Sequence, residues 1–442
     1  MSKNKILVSL LVAGGFVSPM VHATDGYFSH GYGIKSKGMG GVGIALPQDS
    51  LAAATNPAGM VMVGDRVDLG VDFFRPVRSA EIVGSPVGAN QSLDGNGDSS
   101  FLIPEFGYNK MVNPDMSLGV SVYGNGGMNT SYSTPINIFS GQAAQAGFPV
   151  SKAGIDMSQV FIAPTWSMKL NPTNSVGVSL NLAYQMFKAN GLQNFTFPAP
   201  QNYSSAPGSV TDAGYDSSTG WGLRLGWEGQ VTPDMTLGAT YQTKTKMGKF
   251  NKYKGLFAEQ GGFDIPANFG VGIAYKASPA VTVAADLERI QYSGVSSVAN
   301  PLLPALNIGS LGTSGGPGFG WTDQTTFKLG ASYQYQPNLV LRAGYNHGSS
   351  VIPNNQTLFN LLAPATVQDH LTLGSTWTLE NKGELSFAYM HAFSNTITGS
   401  GSIPALGCGA TPATSGPQCF GGGNANLKMY QDSIGIAYGW KL

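Results

Sequence analysis

Five times along the chain, a proline-centred tripeptide breaks a run of alternating apolar and polar residues. The tripeptides are Asn113-Pro114-Asp115, Asn171-Pro172-Thr173, Thr232-Pro233-Asp234, Ser278-Pro279-Ala280 and Gln336-Pro337-Asn338. Proline presets φ and offers no N–H to a ladder, so each site marks a tight turn between strands. Glu380 to Gly383 supplies a sixth turn with Asn and Gly instead. Six short turns on one side require seven long loops on the other, and so about fourteen antiparallel strands.

The flanking segments keep a period of two. Trp221, Leu223, Leu225 and Trp227 fall on one face, and Gly222, Arg224, Gly226 and Glu228 on the other. Phe327, Leu329, Ala331 and Tyr333 likewise oppose Thr326, Lys328, Gly330 and Ser332. Apolar outside and polar inside is the pattern of a transmembrane barrel. Only 11% of residues are charged, where a soluble protein carries about 25%. A mean hydropathy of -0.02 excludes a helical membrane bundle. A net charge of zero gives nucleic acid no footing.

The N-terminus reads as a signal peptide over residues 1–23. Lys3 and Lys5 precede the apolar run Ile6 to Val17, and Val21-His22-Ala23 is a small-residue cleavage site, so the mature chain starts at Thr24. From Thr24 to Gly64 the alternation is missing and Gly and Ala abound, which suits an insertion into the lumen (24–64, a plug) before the barrel of 65–442. A periplasmic tail is the other reading. Ser433, Gly435, Tyr438 and Trp440 on the last strand are spaced like the C-terminal signal read by the barrel-assembly machinery. An exported chain meets an oxidising compartment, so Cys408 and Cys419 are expected to form a loop disulfide rather than two free thiols.

These features together resemble the FadL-type outer-membrane transporters of long-chain fatty acids and other hydrophobic compounds. The resemblance rests on the Gly-Ala-rich mature start, Asn56-Pro57-Ala58, Tyr123-Gly124 on the third strand, and the hairpin Ile265 to Tyr292. It extends to Leu341 to Ser350 and Ser386 to His391. It implies a barrel occluded by a hatch, capture of substrate in the external loops, a lumenal pocket, and lateral exit into lipid. The exit would lie where the third strand bends inward beside Asn56, Pro57 and Ala58. Tyr123, Gly124, Asn125, Gly126 and Gly127 can supply that bend, because glycine within a strand marks a bulge or a close backbone approach. The resemblance also gives Tyr27 and Phe28 a part in holding ligand.

A fatty-acid carboxylate calls for a cation. Parity turns Arg224, Lys244, Lys246, Lys328 and Arg342 inward, but also Glu228, Asp286, Glu288 and Glu384, which could satisfy them. Met186 stands where the family carries a basic residue, with Lys188 nearby, so a neutral ligand stays open. Two motifs are set aside. Gly38-x-Gly40-x-x-Gly43 lacks the strand a dinucleotide site needs. Asp94-x-Asn96-x-Asp98 with Glu105 lacks the turn glycine of a calcium loop. Passive uptake of long-chain fatty acid or neutral hydrophobic molecules by a monomer, without enzyme activity, cofactor or metal, is the expectation. A general porin, or a hydrolase with a His-Ser-acid cluster on the rim, are the alternatives.

Overall fold

The structure, a computed structural model, describes residues 24–85, 90–197, 203–302, 306–404 and 422–442. The expected signal peptide, residues 1–23, and the expected disulfide between Cys408 and Cys419 lie outside them. Fourteen antiparallel strands form the wall. The first seven are β1 (Arg66–Val83), β2 (Phe101–Asn113), β3 (Met116–Ser131), β4 (Gly154–Asn171), β5 (Asn174–Asn190), β6 (Asp216–Thr232) and β7 (Met235–Gln242). The others are β8 (Asn268–Ser278), β9 (Val281–Ile290), β10 (Gln324–Gln336), β11 (Leu339–Gly348), β12 (Asp369–Thr378), β13 (Glu384–Ile397) and β14 (Asn424–Lys441). All six expected turns join strands of one hairpin, and β14 pairs with β1 from Arg66↔Lys441 to Val83↔Asn424, closing the barrel. Closure removes both sheet edges, which is what lets a sheet sit in lipid.

Alternation decides what faces the membrane. Trp221 is 58% exposed while Arg224, three residues on, is 3%. Phe327, Leu329 and Tyr333 are exposed; Thr326 and Lys328 are buried in the lumen.

Lys244 and Lys246 break the expectation of inward side chains. Gln242 pairs with Arg224, but Lys246 pairs with Trp221 on a short extension, Lys246–Met247. One extra residue has entered this strand between the two pairs, and a one-residue slip exchanges the faces. Both lysines therefore follow the outward parity of Trp221 and are exposed. Lys188 is also on the outer face of β5, in phase with Leu182 and Tyr184, with its ammonium 4.8 Å from the Tyr215 ring centre.

Residues 24–64 lie within the barrel, with one helical turn (Ile34–Lys37) and two 3-10 turns (Ala52–Ala54 and Pro57–Met62). Their backbone meets wall glycines directly. A Cβ on Gly344 would stand 2.1 Å from the amide nitrogen of Gly40, and one on Gly40 itself, at φ +69°, would meet the Tyr345 carbonyl oxygen at 2.8 Å. Glycine on both partners is what this approach requires. Inward carboxylates take the segment's free N–H groups. Glu105 accepts from Gly33 (3.2 Å) and Ile34 (2.9 Å), and Asp286 from Gly43 (2.8 Å) and Ile44 (3.1 Å). Lys37 pairs with Asp72 at 2.7 Å. Such groups would be costly to bury unpaired, so each bond fixes the segment in register with the wall.

Candidate functional site

Strand β3 leaves the wall. Its pairing with β2 ends at Phe106↔Val122, although β2 continues to pair with β1 up to Phe74↔Phe101. From Tyr123 to Thr130 every residue of β3 is buried, because the strand has moved inward and both its faces are covered. On its other side β3 stays paired with β4 but skips Asn125, matching Gly124 to Val160 and Gly126 to Gln159. That is a one-residue bulge, the device that bends a strand. The edge that β3 withdraws from β2 is taken by the N-terminal segment. Gly127 N–H donates to the Tyr27 carbonyl (3.0 Å) and Ser29 N–H to that of Asn125 (3.2 Å). A Cβ on Gly126 would lie 1.9 Å from the Tyr27 carbonyl oxygen, so glycine is obligatory there.

An aromatic column leads from the long loops to this bend. Phe195 and Phe359, 5.6 Å apart between ring centres, top an apolar cavity also lined by Phe187, Phe257 and Phe319. Its free volume is only about 20 Å³, room for about one water molecule. Below it, Phe257 meets Phe263 at 4.9 Å and Phe263 meets Tyr27 at 6.1 Å. Tyr27 packs at a tilt against Phe28 (5.3 Å), Tyr292 (5.3 Å) and Trp321 (5.9 Å). At the bend itself Tyr123 touches Tyr32 at 4.9 Å and Phe161 at 5.7 Å. The Tyr292 hydroxyl donates to the Asp25 carbonyl (2.6 Å) and accepts the Tyr27 N–H (3.2 Å), fixing Tyr27 at the centre.

The residues singled out from sequence fall into three places. Tyr27 and Phe28 meet Tyr123, Gly124, Asn125, Gly126 and Gly127 at the bend. Asn56, Pro57 and Ala58 do not, contrary to the expected position beside it. The Asn56 amide donates to the carbonyls of Ile44 (2.6 Å) and Trp227 (3.0 Å), and Ala58 gives its carbonyl to Ser167 Oγ (2.9 Å). Asn56 also caps the turn Pro57–Met62 by accepting the Ala58 N–H. The tripeptide is thus packed on β4, β5 and β6 near the short turns, while the chain stretch that reaches the bend is Tyr27 to Ser29.

The third place is the network of cations. Arg224 donates to the Thr55 carbonyl (2.9 Å) and Gln242 (2.6 Å), and Arg342 to Gln48 (3.0 Å) and Thr376 (2.7 Å). Lys328 lies 3.1 Å from Glu288 and 3.6 Å from Asp25. Burial raises Asp25 to about 6, against the pull of the Lys328 ammonium. Burial also holds His30 well below the usual imidazole range, with His370 stacked beside it at 6.2 Å. These cations serve the N-terminal segment. Glu105, the last position of the calcium-like spacing, also faces that segment rather than the 94–98 loop.

Sequence parity passed over Arg78. It is 2% exposed on β1 and lines a small cavity with Met128, Trp321 and Met429. It donates to the carbonyls of Asn129 (2.7 Å) and Asp98 (2.5 Å), and its Nε has no partner. Among the described residues no carboxylate pairs with it within 4.0 Å. Counting by two from Asp68 and Asp72 would have found it. Phe257, Phe263, Tyr292 and Trp321 had no such signal, because loops have no period.

The His–Asp contacts near the long loops are of another kind. His347 meets Asp369 at 2.8 Å and His391 meets Asp432 at 2.8 Å. A tyrosine, Tyr345 or Tyr389, donates to the same carboxylate oxygen in each case. Among the described residues no serine hydroxyl bonds either imidazole.

Residues 28–409 match the family model described as outer membrane protein transport protein (OMPP1/FadL/TodX). No curated protein matches the chain. Among solved structures, the toluene transporter TodX of P. putida is similar at a TM-score of 0.67 and 18% identity, over 93% of this chain and 99% of that one. The toluene transporter TbuX of Ralstonia pickettii gives 0.63 and 18%, over 93% and 99%. A FadL homologue of Pseudomonas aeruginosa gives 0.65 and 14%, over 96% and 100%.

Proposed function

Since the chain belongs to the OMPP1/FadL/TodX family of outer-membrane transport proteins, we propose that it carries small neutral hydrophobic molecules, of which toluene is the type, from the long loops to the bend in β3. The observation that carries this reading is the aromatic lining between the long loops and the bend: Phe195, Phe359 and Phe257 around the upper cavity, the contacts from Phe257 through Phe263 to Tyr27, and Tyr32 against Tyr123 at the bend. Aromatic faces bind a neutral ring by offset and edge contacts. Toluene is what two of the structural relatives are named for.

The ligand leaves sideways between β2 and β3, because lipid is its lower-free-energy destination. Released into periplasmic water, it would lose roughly 0.8 kcal/mol for each CH₂ exposed. The N-terminal segment holds the lumen shut against hydrophilic solutes, with Tyr27 and Phe28 as the last rings before the exit. Neither a general porin nor a rim hydrolase accounts for a column of rings leading to a strand that abandons its neighbour.

A second reading has its own observation. Arg78, buried without a carboxylate beside Met128 and Met429, suits the headgroup of a long-chain fatty acid. The cations first considered, Lys188, Lys244, Arg224, Lys328 and Arg342, are turned outward or engaged elsewhere.

Uptake into cells lacking other carriers separates these ideas. Phe257→Ala and Phe263→Ala should each reduce toluene entry. Arg78→Met should reduce fatty-acid entry alone, and parental fatty-acid uptake in that variant would discard the headgroup role. Deleting Asn125 to Gly127 should stop entry of either ligand in a barrel shown to be assembled. Parental uptake by that deletion would send the route down through the N-terminal segment.

A further inference from the structure

The outer wall carries a concavity that does not belong to the lumen. A free volume of about 1020 Å³ lies over β4, β5 and β6, walled by Ile162, Leu182, Tyr184 and Trp221 and topped by Lys246 and Met247. Its origin is the extra residue after Gln242, which breaks β7 and shifts Lys246–Met247 to the pairing Trp221↔Lys246 and Gly220↔Met247 at the upper end of β6. The groove follows β5 from Leu180 to Met186, a run of about 20 Å. One leaflet contributes about 15 Å of hydrocarbon. Its upper end adjoins the long loops, so it opens to the outer leaflet.

The chain just above it is basic. Thr243 to Lys254 holds five lysines (244, 246, 249, 252 and 254) of the 24 Lys and Arg in the protein, and no Asp or Glu. Lys244 has Asp264 at 3.7 Å. Among the described residues, neither Lys246 nor Lys249 lies within ion-pair distance of a carboxylate, and both are exposed. The lumenal cations Arg224, Lys328 and Arg342 are engaged by the N-terminal segment; among the described residues these two lysines have no carboxylate partner, on a wall otherwise poor in charge.

We propose that this groove is a binding site for a phosphorylated, multiply acylated glycolipid of the outer leaflet, with an acyl chain against Leu182 and Trp221 and its phosphate between Lys246 and Lys249. An acyl chain gains no hydrophobic free energy by leaving neighbouring lipid for the wall. Selectivity therefore rests on the phosphate, and the groove fixes where the chain lies. Exposed lysines alone would hold free phosphate only weakly, since salt screens them.

Native mass spectrometry of the full-length barrel in mild detergent tests this. The probes are a bisphosphorylated hexa-acyl disaccharide lipid, its dephosphorylated counterpart, and inorganic phosphate. One phosphorylated lipid should bind at least tenfold tighter than the dephosphorylated form. Lys246→Glu/Lys249→Glu should abolish that preference, as should the milder Lys246→Ala/Lys249→Ala. Leu182→Trp, which fills the groove, should displace the lipid, with assembly of each variant checked by heat-modifiable migration. Equal binding of both lipids would reduce the groove to ordinary boundary lipid and overturn the proposal. Inorganic phosphate binding in place of the lipid, unaffected by Leu182→Trp, would overturn it as well.

Discussion

Gly126 is the position at which the bend of β3 and the N-terminal segment depend on each other. In Gly126→Val the new Cβ would stand 1.9 Å from the Tyr27 carbonyl oxygen, more than an ångström inside van der Waals contact. The wall cannot yield easily, because β3 is held to β4 on both sides of the bulge. The segment must yield instead. It then loses the bonds Gly127 N–H to Tyr27 and Ser29 N–H to Asn125, at roughly 1 kcal/mol each. A loss of about 2 kcal/mol raises the undocked population about 30-fold. Ser29, 4% exposed, reports on this if changed to Cys in a background lacking Cys408 and Cys419. When opening and closing are fast, labelling follows the open population, so Gly126→Val should speed thiol labelling at position 29 by about that factor. Parental labelling in a mutant proven to be assembled would show that the close approach at Gly126 does not hold the segment.

The same reporter reads a pH effect. Asp25 is raised to about 6 by burial, so its contribution to docking is fully present below about 4 and is lost as pH rises through about 6. Labelling at position 29, normalised to an exposed control thiol, should rise over that window and become flat in Asp25→Asn; an identical slope in the variant would exclude Asp25 as the source. Deleting Thr24 to Gly64 behind an intact leader should raise single-channel conductance, since fourteen strands spaced about 4.8 Å and tilted about 40° give a backbone radius of about 14 Å. A conductance as low as the parent's, in an assembled barrel, would mean that something other than the segment fills the lumen. Epitope tags within Gln142 to Ser151 should be reached on intact cells and tags at Pro172 or Pro337 should not, and the reverse would invert the orientation.

The sequence by itself determined what depends on local chemistry. Proline between alternating runs marks a turn, and five such turns with the Asn-Gly turn at Glu380 to Gly383 fixed the count of fourteen strands and the side on which the long loops lie. Period two then sorted Arg224 and Lys328 inward and Trp221 and Phe327 outward without knowledge of any neighbour. The glycines of 124–127 announced a break in β3, and at Gly126 no other residue tolerates so close an approach.

Tertiary structure decided whatever depends on register between strands and on what fills the lumen. One extra residue after Gln242 turned Lys244 and Lys246 to the outside, and parity counted along a single strand cannot detect an insertion relative to its partner. Asn56-Pro57-Ala58 proved to be a capped turn on β4, β5 and β6, while Tyr27 to Ser29 took the free edge of β3. The N-terminal segment has no period from which its path could be read. Likewise Phe257 and Phe263 come from the loop between β7 and β8, Tyr292 and Trp321 from the loop between β9 and β10, and the two pairs meet only because both reach Tyr27 inside the barrel. Arg78 gains its interest from the carboxylates it does not touch, and that is a property of the packed lumen rather than of any stretch of chain.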